Sequence, residues 1–113
     1  MDDKRQLIRR HLLAEVKIKS GRSELWIQAV LTNINSGGIG VYAMGNLTEN
    51  EKVAIRISYL DDGKVTEVEE VPGSVCWVQM IGESTAAGIG FDSAINEEQY
   101  PILHKCLAQA TDD

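Results

Sequence analysis

Histidine and cysteine are scarce, two of each in 113 residues, and that scarcity removes several chemistries at once. His11 and His104 fall in different segments with no third ligand at metal spacing, so no zinc centre is expected. Cys76 and Cys106 stand at unrelated spacings, which leaves no disulfide framework. Cys76 lies within a strand pattern and Cys106 on a helical stripe, places where cysteine serves as a small buried hydrophobe. No apolar run approaches the roughly 20 residues of a membrane helix, and the polar start Met1-Asp2-Asp3-Lys4 is not a signal peptide. These features together point to a reduced, cytoplasmic interior. Ser36 has no G-x-S-x-G context, no Walker-type loop is present, and the acidic residues scatter over strand edges and turns. No catalytic constellation emerges, and neither an enzyme nor a resident cofactor is expected.

Basic charge is also in short supply. Eleven Lys and Arg face seventeen Asp and Glu, a net charge of −6, which argues against general binding of nucleic-acid polymers or acidic membranes. Its placement is uneven. Residues 1 to 22 hold seven basic side chains (Lys4, Arg5, Arg9, Arg10, Lys17, Lys19, Arg22) against three acidic ones (Asp2, Asp3, Glu15). That segment is net +4, so with −6 overall the remainder carries −10. A basic lead segment on an acidic body is either a local anion site or an arm that folds back on its own carboxylates. Arg5 and Arg9 are four apart, with Arg10 beside them. Guanidinium groups pair bidentately with phosphate and also stack on planar rings, so they suit a ligand that has both.

What the chain does contain is short alternating apolar runs punctuated by glycine, ten residues of it against two prolines. Val16 and Ile18 alternate with Lys17 and Lys19, a half-buried strand. After a turn at Gly21-Arg22-Ser23, the residues Leu25, Ile27, Ala29 and Leu31 line one face of a longer strand and Trp26, Gln28 and Val30 the other. Thr32–Val41, TNINSGGIGV, then reads as a tight reversal over Asn33–Gly38 with positive φ at its glycines. Its amides and short polar side chains are suited to holding a ligand. Ile39–Ala43 continues as a strand. Val53, Ile55, Ile57 and Tyr59 alternate clearly, and Asp61-Asp62-Gly63 is a hairpin signal. Lys64–Val71 reads as an exposed return strand, and Pro72-Gly73 as a break or bulge. Val75–Met80 is apolar on both faces, so Trp77 is expected in a central, well-covered strand. Ala87, Ile89 and Phe91 point one way, while Gly88 and Gly90 leave the other face bare for close approach by a neighbour.

The tail changes period. Asn96-Glu97-Glu98-Gln99 reads as a helix start, with Glu97 and Glu98 complementing the positive end. Ile102, Leu103, Cys106, Leu107 and Ala110 form a helical stripe. Pro101 fits a short turn followed by a main helix that begins at the proline. About seven short strands and one terminal helix imply a single small antiparallel barrel with a helical lid. The division expected is a flexible basic arm at residues 1–12 and a barrel at 13–113, with its helix at about 96–110.

An R-x-x-x-R arm ahead of the first strand, followed at the end of the second by Asn-Ile-Asn-Ser-Gly-Gly, resembles the PilZ domain family. That family's pattern is R-x-x-x-R and then [D/N]-x-S-x-x-G. Gly73-Ser-Val-Cys-Trp-Val-Gln79 is similar to its G-x-V-x-W-V strand, and Gly88-Ile-Gly-Phe-Asp92 to its final strand. The likeness spans roughly residues 4 to 108, nearly the whole chain. It implies an all-β fold, a six-stranded antiparallel barrel of the split-barrel type with a C-terminal helix. It also implies binding of the bacterial second messenger cyclic di-GMP, with the motif arginines on phosphate and guanine and the polar turn on guanine and backbone.

Carried onto this chain, the resemblance gives Arg5 and Arg9 the arginine roles, with Arg10 as an auxiliary. Asn33 takes the first turn position and Gly38 the last, with Asn35, Ser36 and Gly37 between. Asn35 stands where the pattern has serine, and Ser36 comes one place late. Either the site tolerates the exchange at some loss of affinity, or the domain has moved to a non-binding role. In the first case ligand binding orders residues 4–11 and reshapes the surface offered to an effector protein of motility, pilus or biofilm machinery. In the second the chain is an adaptor that docks on a motility or pilus-assembly protein without nucleotide.

Overall fold

Alternation of apolar and polar residues sets which elements form and which face each buries. The computed structural model describes residues 14–61 and 63–111; the lead segment carrying Arg5, Arg9 and Arg10 lies outside them. Seven strands, β1 (Ala14–Ser20), β2 (Trp26–Asn35), β3 (Gly38–Ala43), β4 (Lys52–Asp61), β5 (Lys64–Glu67), β6 (Val71–Ile81) and β7 (Ser84–Phe91), precede one helix, α1 (Pro101–Thr111). All pairings are antiparallel, in the order β1-β2-β3-β7-β6-β4-β5, and β1 also pairs with β4. That last pairing closes a six-stranded barrel, as expected. β5 stays outside the ring as the hairpin partner of Ser58–Asp61.

The alternating residues of β1 and β4 do what the pattern requires. Val16, Ile18, Val53, Ile55, Ile57 and Tyr59 are all buried, while Lys17, Lys19 and Arg56 on the intervening positions face outward. Leu25 departs from the expected inner row: it precedes β2 and is 74% exposed. The hairpin expected at Asp61-Asp62-Gly63 is present, with Asp61 paired to Lys64 and Gly63 at φ +80°; Asp62 itself lies outside the described residues. The return strand is shorter than expected. β5 ends at Glu67; the Val68 N–H still donates to the Ile57 carbonyl at 2.8 Å, and the chain then leaves β4 before β6 begins at Val71.

Pro72 and Gly73 neither break nor bulge β6. The Pro72 carbonyl accepts from the Asp92 N–H at 2.8 Å, and a residue's amide and carbonyl point to the same side of a strand. The donor that proline lacks would therefore face the end of β7, where one rung is left half-made, while toward β4 Pro72 stands opposite Ala54. The irregularity in β6 lies instead at Cys76.

The strand directions put the start of β1, the β2–β3 reversal, the start of β6 and the end of β7 at one end of the barrel, here the upper end. The helix packs Leu103, Cys106 and Leu107 into the core. Its approach follows the expected two steps. Asn96 Oδ1 accepts from the Gln99 N–H at 2.8 Å, its carbonyl from the Tyr100 N–H at 3.0 Å, and α1 then starts at Pro101. The carboxylate that complements the helix start is neither Glu97 nor Glu98, which sit in the preceding turn. Glu69, from the connection between β5 and β6, accepts from the N–H groups of both Ile102 and Leu103 at 2.9 Å. A distant residue fills the role because the free amides of the first turn point away along the helix axis, toward that connection. No helix among the described residues is long and apolar enough to cross a membrane.

Candidate functional site

Two one-residue insertions build the surface around the β2–β3 reversal. In β2, Leu31 pairs with Val41 and then Asn33 with Gly40, leaving Thr32 as a β-bulge. Strict alternation after the inward Ala29 and Leu31 would send Asn33 into the core. The extra residue returns it to the outer face. A Cβ placed on Gly40 would lie 2.6 Å from Asn33 Oδ1 and 2.8 Å from Thr32 Oγ1, so both polar side chains lean over that glycine.

The mirror arrangement occurs in β6. Val75 pairs with Ile89 and Trp77 with Gly88, leaving Cys76 as the bulged residue. Trp77 therefore turns outward and is 48% exposed, not covered as its apolar surroundings suggested. Its indole lies directly across Gly88, leaving no room for a Cβ there. Cys76 is exposed as well, a departure from the buried role expected of it, and its Sγ is 3.3 Å from where a Cβ on Gly90 would be. Trp77 and Cys76 are thus the neighbours for which Gly88 and Gly90 leave space.

One cross-strand row consequently reads Asn33, Gly40, Gly88, Trp77 across β2, β3, β7 and β6. The next row upward reads Asn35, Gly38, Gly90, Ser74 and, on β4, Lys52. Glycines form the floor, with amide side chains along one wall and an aromatic plane along the other. Ser74 Oγ donates to Asp92 Oδ1 at 2.8 Å and accepts from Lys52 Nζ at 2.9 Å, and Lys52 pairs with Asp92 at 3.4 Å. The cation in this row is already partnered.

The reversal itself is tighter than the span Asn33–Gly38. Only Ser36 and Gly37 separate the paired Asn35 and Gly38, and φ is not positive at either glycine; among the described residues positive φ falls at Asn50, Gly63 and Gly82. Asn35 makes the turn instead. Its Oδ1 accepts from the N–H groups of Gly37 at 2.7 Å and Gly38 at 3.1 Å, an Asx-turn. Gly38 is required by space: a Cβ there would collide with the Ile89 carbonyl oxygen. The Gly37 carbonyl accepts from the Phe91 N–H at 2.9 Å. The two turn amides are therefore engaged internally. The groups left to a ligand are the Asn33 side chain, the Asn35 Nδ2 donors and the exposed Ser36.

Such a surface can stack a planar ring and hydrogen-bond its edge, but it supplies little charge to an anion. β1 begins at Ala14, and Glu15 pairs with Val30, so β1 starts beside Leu31, on the edge of β2 that leads to Asn33. Sequence reading picked out Asn33, Asn35 and Gly38, which adjoin this floor, and missed Thr32, Gly40, Cys76 and Trp77. The two bulges bring Thr32, Cys76 and Trp77 to it, and Gly40 is there by the unbroken β3–β7 register.

The family model described as PilZ domain matches residues 3–109 of the chain. Among curated proteins none matches it.

Proposed function

The chain belongs to the PilZ domain family, and on that premise we propose that it is a cyclic di-GMP receptor whose arginine arm closes over the β2–β3 reversal. The family is one of cyclic di-GMP receptor domains, and none of the described residues forms a metal-binding cluster. The observation that carries the reading is the row Asn33–Gly40–Gly88–Trp77, a flat floor with hydrogen-bonding groups on one side and an indole on the other. A cyclic dinucleotide presents planar bases and two phosphates. The bases suit the floor and the Asn33, Asn35 and Ser36 side chains, with Gly37 and Gly38 holding the turn. The phosphates need cations, and these come from Arg5 and Arg9, with Arg10 assisting. Residues 4–11 become ordered on binding, and the changed surface is read by an effector protein.

Asn35 gives a specific reason to hold a second reading. With Oδ1 committed to two backbone amides, it offers a ligand donors only, where a serine hydroxyl would both donate and accept. An adaptor that docks on a motility or pilus-assembly protein without nucleotide is consistent with that restriction.

Calorimetric titration with cyclic di-GMP separates the two. The receptor reading expects binding that weakens as salt rises, because phosphate contacts to exposed arginines are screened. It also expects Arg9→Ala to lose about tenfold or more in affinity, the scale of a charge-assisted hydrogen bond of roughly 1.5–3 kcal/mol. No heat from the wild-type chain at any salt concentration would decide for the adaptor.

A further inference from the structure

Below the glycine floor, the outer face of the same four strands has a character the rest of the barrel lacks. The row Val30, Tyr42, Ala86, Gln79 crosses β2, β3, β7 and β6. The row beneath it contains Gln28 and Met44, joined by the Met44 N–H donating to the Gln28 carbonyl at 3.0 Å, and the paired Ser84 and Ile81. On these four strands neither row contains a charged residue, and charge begins on β1, where Glu15 pairs with Val30 and Lys17 with Gln28. Val30 is 58% exposed, Tyr42 46%, Met44 73% and Ile81 48%. The outward positions of β1 present the opposite chemistry, with Glu15, Lys17 and Lys19, and Arg56 on β4 lies opposite Lys17.

We propose that this uncharged face is where two copies of the chain associate, sheet against sheet, about a twofold axis. Its composition, apolar and aromatic side chains with Met and without charge, is that of an interface centre. Electrostatics selects the occupant. A partner of opposite charge would be drawn to the charged side of the barrel, and this face offers it nothing to pair with. A second copy carries the same net charge of −6, and two copies that meet through this face set no charged strand position of β2, β3, β6 or β7 against its like. At about half exposure Val30, Tyr42, Met44 and Ile81 present on the order of 400 Å² of apolar surface, the size of the largest functional patches on small proteins. Doubled, and with the glutamine and serine positions added, that reaches the roughly 1,200 Å² at which specific interfaces begin. Stacked antiparallel sheets pack about 10 Å apart at about −30°, a geometry this open face can meet. The association is independent of any nucleotide.

Sedimentation of the full chain from micromolar to millimolar concentration tests this. The expected result is a rise from one chain's mass to two, stronger at high salt because screening relieves the residual repulsion of the acidic bodies. Met44→Glu and Ile81→Glu, both at exposed positions, should each weaken the dimer at least tenfold while far-UV circular dichroism stays unchanged. Lys17→Glu, on the charged side, should leave it unaltered. A monomer at every concentration overturns the proposal. So does a dimer indifferent to both glutamates. If the wild type is monomeric and Leu7→Ser with Ile8→Ser shifts the Tyr42 and Met44 amide resonances, the chain's own lead segment is the occupant, and the proposal again fails.

Discussion

Gly88 has its identity set by another residue's ring. The indole of Trp77 occupies the space a Cβ would need, so Gly88→Ala must push the ring off the floor. Overpacking of this kind costs about 1–3 kcal/mol, toward the lower figure because Trp77 is half exposed and has somewhere to go. Urea denaturation should register the loss, and tryptophan emission in a Trp26→Phe background should report the displaced ring. The same pair shows where sequence reading stopped. Val16, Ile18 and the four inward residues of β4 obey a period of two from end to end, and their burial was legible at once. Asn33 and Trp77 each follow a single inserted residue that inverts the period. A bulge at Thr32 or Cys76 has no compositional mark, because the insertion is decided by pairing with a strand elsewhere in the chain. Trp77 therefore reads from the sequence as well covered although it is half exposed, and Asn33 is picked out by motif spacing rather than by periodicity.

Among the elements, α1 depends most on a residue outside itself. Its first turn contains no acidic side chain, and the Glu69 carboxylate supplies both the hydrogen-bond acceptors and the negative charge its positive end favours. Glu69→Ala should cost about 1–2 kcal/mol, seen as a lower urea midpoint with reduced ellipticity at the helix band. Glu97→Gln and Glu98→Gln should stay within about 0.5 kcal/mol of wild type. The helix itself was readable from its apolar stripe and from Pro101. The capping residue was not, because a contact across more than thirty positions (Glu69 to Ile102) leaves no local signature. The shortened β5 has a similar origin: Lys64–Val71 is permissive in sequence, and the pairing with β4 runs out just after the buried Val68, whose N–H makes the last bond to the Ile57 carbonyl.

At the scale of the molecule, the barrel separates its two thiols. Cys76 is exposed on the outer face and Cys106 lies fully buried where the helix meets the core. A thiol reagent should therefore titrate one group quickly and the other only as fast as the helix or the whole barrel opens. The slow rate should rise in Glu69→Ala; two equally fast thiols would mean that the helix does not cover the core. The outer surface of the ring is divided too, with Glu15, Lys17 and Lys19 on β1 and Lys52 and Arg56 on β4, and no charged residue in β2, β3, β6 or β7. Salt should accordingly weaken dinucleotide binding and strengthen self-association, so one titration series reads the two properties in opposite directions.

Pro72 sets a limit on all of this. With no hydrogen to give at the last rung between β6 and β7, the zipper between those strands stops at Asp92, and the backbone is released to travel over the pole toward Asn96. Were a donor restored there, as in Pro72→Ala, the half-made rung could close and Asp92 would be held more firmly at the root of the tether to the helix. One missing proton thus helps decide how much slack the lid has.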